Sequence, residues 1–346
     1  MKKPVLGIHE RCGSFSDRWI EYCRERDILF RIIDAFSSDL MDQAKCLKAF
    51  LWHWPYDDYA PQLVARQILR SLEIVGLIVF PNTDTCWHYD DKLAQKYLLE
   101  AVAAPLAPTW VFYRLQDAMD WLAGATFPKV FKLRRGASSD NVRLVTSRKE
   151  ATRLCKVAFT RGFDGVPSYF GDFTRKVRQV RSRGGLGAKL MRAPGVLRTL
   201  HKRRRLVPPE RQYVYFQEYM ARNAYDTRVT VIGERAFAYH RRNRPGDFRA
   251  SGSGCIDHKP ESIDLNVVKE AFRVARGTAS QSLAMDFVYD AEHRPTLLEI
   301  SYAFVSGLVT DCPGHWDESL TWHPGHVHPA DAILEDVLAQ LDNNRG

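Results

Sequence analysis

The sequence predicts an α/β chain, with an N-terminal domain on a mainly parallel sheet followed by lobes of mixed α+β character. Three observations carry this prediction. Short apolar runs alternate with amphipathic stretches up to the proline pair Pro105 and Pro108, as strands and helices do when they take turns against one sheet. Beyond those prolines the pattern changes to apolar strands joined by tight turns, which is the grammar of antiparallel pairing. A chain of 346 residues also exceeds what one simple core covers, so two or three packed subdomains are expected.

In chain order, residues 5–8 form a short apolar run, 14–27 have helical spacing, and 28–36 are apolar and β-branched. Residues 47–54 are another apolar run, 59–75 an amphipathic helix, and 77–80 an apolar strand closed by Pro81-Asn82. A helix over 90–102 leads into the linker Ala103-Ala104-Pro105-Leu106-Ala107-Pro108, a domain boundary. Strands are then expected at 127–134 and 141–145 around Arg135-Gly136-Ala137-Ser138-Ser139-Asp140, with a helix at 147–159. A strongly apolar strand covers 213–220, and 226–232 and 235–239 flank Gly233-Glu234 as a hairpin. A helix over 262–282 precedes two strands, 283–289 and 296–301, paired across the turn at 290–295.

Composition narrows the class of function. With 45% hydrophobic and 26% charged residues the chain is globular material, not a disordered or low-complexity segment. It contains no apolar run long enough for a membrane span, and its start, MKKPVLGIHE, lacks the apolar core of a signal peptide. The seven cysteines are scattered and form no CxxC pair, so free thiols in a reducing compartment, the cytoplasm, are expected. Charge is uneven. Residues 171–211 hold 13 Lys and Arg against Asp172 and Glu210, a local +11 that leaves −2 for the rest of a chain totalling +9. A local cationic patch points to a local anionic ligand.

The sequence has neither a GxxxxGK[ST] phosphate loop nor a GxGxxG between strand and helix. Four segments carry chemistry instead. Lys132 ends an apolar strand beside the Gly136, Ser138 and Ser139 turn, where an ammonium and backbone amides can meet phosphate; a solvated lysine before a hairpin turn is the competing reading. Gln217, Glu218, Tyr219 and Met220 end an apolar strand of the kind that offers adenine an apolar slot and backbone donors. Asp226, Arg228, Arg241, Arg242 and Arg249 gather near one sheet, suited to triphosphate or carboxylate; a solvated arginine face competes. Asp286 and Glu299 each interrupt an apolar run on strands expected to be neighbours. Buried acids there must be paired or hold a metal, and two on adjacent strands can converge on Mg²⁺; a buried acid paired with arginine is the alternative.

Taken in order, Asp91-Lys92, VFKLRRGASSDNV, YVYFQEYM, YDTRV, GDFR, MDFV and LLEIS resemble the ATP-grasp superfamily over about residues 90–301. The nearest pattern is that of the glutathione-synthetase and ribosomal-protein glutamyl ligase groups, with D-alanine–D-alanine ligase further off. The resemblance implies an N-terminal α/β domain at 1–107, a central ATP-grasp lobe at 108–211 with a basic insertion at 171–211, and a C-terminal lobe with the metal site at 212–346. It implies that Lys92 and Lys132 bind the α- and β-phosphates of ATP under the Gly136–Asn141 loop with Ser138 and Ser139. Gln217, Glu218, Tyr219 and Met220 line adenine, and Asp226 faces the ribose. Arg249 contacts the γ-phosphate and an acyl phosphate, with Arg228 and Arg241 beside it. Asp286 and Glu299 carry one or two Mg²⁺ ions, with Ser301 standing where many relatives have a third, asparagine ligand.

The implied activity is an ATP-dependent carboxylate–amine ligase. A phosphotransferase that stops at the first transfer and a non-catalytic ATP-binding module are the alternatives. Similarity to uncharacterised bacterial proteins linked to surface-polysaccharide synthesis adds a glycan precursor to the expected substrates, which are small and anionic. The basic insertion is read as a substrate lid and not a nucleic-acid arm, because Phe173 is its single aromatic residue. A homodimer is among the expected assemblies. His315, His323, His326 and His328 lack zinc spacing and are read as lining a substrate pocket. Trp52-His53-Trp54-Pro55 ends a strand of the first domain and is read as buried core, with stacking on a sugar or nucleotide as the alternative.

Overall fold

The computed structural model describes residues 5–56, 58–136, 141–163, 208–244 and 254–343. Ser138, Ser139, Arg249 and all but residues 208–211 of the basic segment 171–211 lie outside the described residues. The chain divides into two compact units. The larger comprises Met1–Tyr89, Ala94–Leu106 and Met220–Gly346, and the smaller comprises Asp90–Leu93 and Ala107–Tyr219. The expected N-terminal domain and C-terminal lobe thus fall largely within one unit.

The larger unit opens with a parallel sheet of β1 (Leu6–Ile8), β2 (Phe30–Ile32), β3 (Ala49–Leu51) and β4 (Ile78–Phe80), in the order β2-β1-β3-β4. Helices α1 (Phe15–Glu25), α2 (Leu40–Ala44) and α3 (Tyr59–Ile74) make the crossovers. β1 and β3 are wholly buried, as central parallel strands covered on both faces must be. The α1 helix starts where the Ser14 side chain accepts the Ser16 N–H, and it buries Phe15, Trp19, Ile20, Tyr22 and Cys23. Trp52 and Trp54 are fully buried, so the aromatic strand end is core and the stacking alternative falls. His53 lies between them in sequence, stacked on Phe15 at 3.9 Å between ring centroids and accepting the Phe15 N–H on Nδ1 at 3.3 Å. Short α4 (Thr83–Cys86) and then α5 (Lys92–Ala101) follow β4.

The smaller unit is built on an antiparallel sheet. Its elements are β5 (Thr109–Phe112), α6 (Leu115–Gly124), β6 (Lys129–Lys132), β7 (Val142–Val145), α7 (Arg148–Ala158) and β8 (Val214–Glu218), with strand order β5-β8-β6-β7. The Ser147 side chain caps α7 by accepting the Glu150 N–H. Phe131, Phe216, Val145, Leu154 and Leu122 share its core. Neither β5 nor α6 is among the expected elements. Thr109-Trp110-Val111-Phe112 is a β-branched and aromatic run too short to stand out, and its partner β8 lies more than a hundred residues on.

The larger unit continues with β9 (Tyr225–Ile232), β10 (Arg235–Arg242), β11 (Ile256–Asp257), α8 (Leu265–Gly277), β12 (Ser282–Tyr289), β13 (Pro295–Ser301), α9 (Ser306–Thr310), β14 (Gly314–Trp316), β15 (Trp322–Pro324) and α10 (Pro329–Asn343). Their sheet runs β13-β12-β9-β10-β14-β15, with β11 on β10. Gly233 makes the β9–β10 turn at φ +54, and a Cβ there would meet Asp336 Oδ2 at 2.3 Å, so glycine is required twice over. α8 is shorter than the expected 262–282 helix because Asp264 caps it and Pro260–Ser262 forms a separate 3₁₀ turn. Its face of Val267, Val268, Ala271, Phe272 and Ala275 packs with Val229, Val231, Leu283 and Met285 of the sheet.

Among the described residues no helix is long and apolar enough to cross a membrane. All seven cysteines are free, four of them buried.

Burial of His53, with Arg11 nearby, pushes its pKa from 6.5 down to about 3. The folded chain therefore binds one proton fewer than the unfolded chain between those values, and stability falls as pH drops below about 6.5. Replacing His53 with Phe should flatten the dependence by about 1.4 kcal/mol per pH unit, as urea unfolding at pH 4.5 to 6.5 would read. An unchanged slope would refute the buried neutral imidazole.

Candidate functional site

The second sheet of the larger unit sets functional side chains by strand register alone. The hairpin places Asp226 opposite Arg241 and Arg228 opposite Tyr239. β12 brings Asp286 opposite Arg228, and β13 brings Glu299 opposite Asp286, with the register shifting directly after that pair. Tyr239, Arg228, Asp286 and Glu299 therefore form one row across four strands. Asp226 and Arg241 lie two residues along on the same face.

The charged side chains close into a network. Arg228 donates from Nε to Asp286 Oδ1 at 2.6 Å and from Nη2 to Oδ2 at 2.8 Å. Arg241 donates from Nε and Nη2 to the two oxygens of Asp226 at 2.7 and 2.6 Å, and Nη2 also lies 2.7 Å from Asp286 Oδ2. Asp226, Arg241 and Asp286 are each less than 10% exposed, so this is a desolvated cluster in which two charges of each sign cancel. Burial would raise the Asp286 pKa, but Arg228 and Arg241 together hold it well below the carboxylate range. Burial, helped by Asp286, raises that of Asp226 against the pull of Arg241. Tyr239 is fully buried, and its hydroxyl has no hydrogen-bond partner among the described residues.

These contacts give the expected site residues protein partners. Asp286, read as a metal ligand, is held by two arginines, which is the competing reading of a buried acid. Asp226, read as facing a ribose, is occupied by Arg241. Ser301 turns its hydroxyl back on its own chain, donating to the Ala303 carbonyl at 2.7 Å and accepting the Ala303 N–H at 3.2 Å; its side chain serves a turn. The pairings were legible in principle, since a hairpin turning at Gly233-Glu234 fixes 226 against 241.

The donor set bears on Mg²⁺ directly. A carboxylate offers about four lone-pair positions, and the arginine contacts take three of those on Asp286. One position on Asp286 and the neighbouring Glu299 leave the two carboxylates that Mg²⁺ takes when phosphate and water complete its octahedron. The residues thus fit an ion carried in with phosphates. They do not form a cage by themselves, because among the described residues no group of three or more His, Cys, Asp and Glu could hold a metal. The histidines expected to line a pocket have neighbours of their own. His315 and His323 stack at 5.2 Å across the β14–β15 hairpin, His323 bonds Asp317 at 2.7 Å, and His326 bonds the Thr310 carbonyl at 2.9 Å.

In the smaller unit, Lys92 and Lys132 are both buried. Lys92 Nζ donates to the Gly136 carbonyl at 2.7 Å, and the Gly136 N–H donates to Asp90 at 2.8 Å. This ties the helix start to the mouth of the turn, as does the Asp91–Arg134 ion pair. Gly136 has φ +112, and a Cβ would strike Asn141 Nδ2 at 2.6 Å. Gln217 is buried and donates to Thr109 Oγ1 at 3.1 Å. The Glu218 carboxylate binds Lys129 Nζ at 2.9 and 3.0 Å, while Tyr219 and Met220 remain half-buried. Lys129, given no role from the sequence, is a third buried lysine of this unit, lying 5.4 Å from the Trp110 ring.

No family model matches the chain, and no curated protein matches its sequence. Solved structures do. A crystal structure of D-cycloserine synthetase DcsG superposes with a TM-score of 0.57 at 16% identity, covering 96% of this chain and 99% of that one. The ATP-grasp ligase PsnB, complexed with a precursor peptide and AMPPNP, gives 0.54 at 15% identity over 98% and 99%. D-alanine–D-alanine ligase from Bacillus anthracis gives 0.55 at 13% over 99% of each. The chain has the ATP-grasp fold.

An ATP-grasp chain with a buried charge network must keep that network balanced. Arg241→Met would leave Asp226 and Asp286 facing each other without their shared cation, at a cost of about 3–5 kcal/mol. Adding Asp226→Asn should recover part of that loss. Urea unfolding of the single and double variants measures both, and a loss below about 1 kcal/mol for Arg241→Met would show the network to be solvated.

Proposed function

We propose that this chain is an ATP-dependent carboxylate–amine ligase. A carboxylate oxygen of the substrate attacks the γ-phosphorus of ATP and ADP leaves. An amine then attacks the acyl carbon, phosphate departs, and the amine loses a proton. The observation that carries this reading is the cross-strand pair Asp286–Glu299 beside two guanidinium groups, in a fold whose solved neighbours are named as synthetase and ligase.

Lys92 and Lys132 would supply positive charge to the α- and β-phosphates, with Gly136, Ser138 and Ser139 covering them. Gln217, Glu218, Tyr219 and Met220 would line adenine, and Asp226 would hold Arg241 in place. Arg228, Arg241 and Arg249 would stabilise the charge that develops on the transferring phosphoryl group and on the acyl phosphate. Asp286 and Glu299 would hold Mg²⁺, which supplies Lewis-acid neutralisation of phosphate oxygens when bound. The preformed arginine–aspartate network supports this by keeping guanidinium groups oriented before substrate arrives. The substrates would be small and anionic: a sugar acid, an amino acid or a glycan precursor.

ATP turnover should need both a carboxylate and an amine, measured by omitting each in turn. Turnover with one acceptor alone would overturn the ligase reading in favour of phosphotransfer. Glu299→Gln should abolish turnover while leaving the melting temperature near wild type. Lys132→Met, which keeps the stem and deletes the charge, should weaken ATP binding by about 1.5–3 kcal/mol. Nucleotide titration of that variant checks it, and wild-type affinity would return Lys132 to a structural role.

A further inference from the structure

We infer that the cavity between the β9–β10 turn and α10 is a binding site for a small organic cation. It is separate from the candidate site and independent of the ligase reading.

The cavity holds about 340 Å³, at the lower end of the range for small-molecule sites. Every residue that lines it belongs to the larger unit. Gly233, directly after β9, follows Arg228 by five residues, about 17 Å along an extended strand. A small ligand here therefore does not reach the acid row.

Phe80, Ile333 and Val337, each no more than 2% exposed, give the cavity an apolar floor. Gln281 is a fixed wall, because its side chain accepts the Asn82 N–H at 2.7 Å and donates to the Val79 carbonyl at 2.9 Å.

The charged lining is unbalanced. It consists of Glu234, Arg235 and Asp336. Arg235 is committed to α10, pairing with Asp336 and donating from Nη2 to the Ala332 carbonyl at 3.0 Å. That pair cancels one charge of each sign. Glu234 is left over, with no side-chain ion pair among the described residues. Asp336 also keeps an oxygen in reserve. Its Oδ1 faces Arg235, while Oδ2 makes no hydrogen bond among the described residues. A Cβ on Gly233 would meet that Oδ2 at 2.3 Å, so the carboxylate lies against the turn that carries Glu234. Burial raises the Asp336 pKa, with Glu335 and Glu234 adding to it, against the pull of Arg235. One guanidinium does not neutralise this corner.

An organic ammonium fits these walls. The two carboxylates take its N–H groups, and its carbon body displaces water from the apolar floor. A bare metal ion does not fit. Among the described residues no group of three or more His, Cys, Asp and Glu could hold one, and an apolar floor gives it no ligands. An anion would meet two acids and one arginine already paired.

Calorimetric titration of the full chain without nucleotide tests the site. The probes are putrescine and L-arginine, their neutral counterparts 1,4-butanediol and L-citrulline, and magnesium chloride. At least one cation should bind while its counterpart does not, and which one binds separates a diamine from a basic amino acid. Ala339 lines the cavity and is exposed. Ala339→Trp fills the space while keeping every charge, so it should abolish that binding. Asp336→Asn should weaken it about tenfold, and Glu234→Gln about threefold. Glu234 is exposed and has no partner to lose, so its variant carries the test if Asp336→Asn melts early. Four results would each overturn the site: binding of neither cation, equal binding of the neutral counterparts, displacement by magnesium at matched concentration, or wild-type affinity in Ala339→Trp. No turnover enters the measurement, so failure of the ligase reading would leave its result standing.

Discussion

Asp226, Arg241, Asp286 and Arg228 lie side by side on three strands, and none could remain there without the others. A carboxylate or guanidinium taken out of water costs several kcal/mol, and only a close, well-oriented partner offsets it. The network therefore demands one strand register. Slipping any strand by one residue would turn its member to the opposite face and leave the remaining charges buried and alone. The sheet is held in register from its far end by the Gly233 turn, where a side chain would collide with Asp336. Local turn chemistry and buried electrostatics specify the same pairing, which is how a sequence rejects competing arrangements.

That register also delivers Glu299. It sits opposite Asp286 at the last regular pair before the β12–β13 irregularity, between Leu298 and Ile300. The row across the sheet thus runs from a buried tyrosine hydroxyl through arginine to two acids. A charge-balanced row at one end and an added carboxylate at the other make a surface suited to a cation brought in with phosphates. The smaller unit shows the complementary preference. Three buried lysines, Lys92, Lys129 and Lys132, bear on its antiparallel sheet and the turn beside it, and Lys92 is oriented by the Gly136 carbonyl. A buried ammonium is as costly as a buried carboxylate, and Lys129 offsets that cost with the Glu218 carboxylate.

The first sheet contributes differently. Its parallel strands are too short to do more than build a core, and Trp19, Trp52 and Trp54 fill it. At its strand ends the His53 ring stacks on Phe15 and accepts the Phe15 N–H. Tyr302 and Phe304 seal this core from the other sheet, so the segment leaving the acid row is anchored in aromatic packing. Displacement of that segment would disturb the acid row and the sheet mouth together.

The sequence by itself determined the α/β class, the order of its main elements and the ATP-grasp pattern. These depend on local periodicity, turn residues and apolar runs with acids embedded in them, all of which read along the chain. It also singled out Asp286 and Glu299 as acids interrupting apolar runs, Lys132 at the end of an apolar strand, and Lys92 through the resemblance alone. Tertiary structure decided what each of them touches. Asp286 meets Arg228 from a strand 58 residues away, Glu218 meets Lys129 from 89 away, and β5 becomes a strand only by pairing with β8. Ser301 has the right position for a ligand, yet its hydroxyl serves a turn. The physical reason is common to all of these. Burial and register arise from contacts distant in sequence, and a charged side chain takes its role from the partner that folding provides.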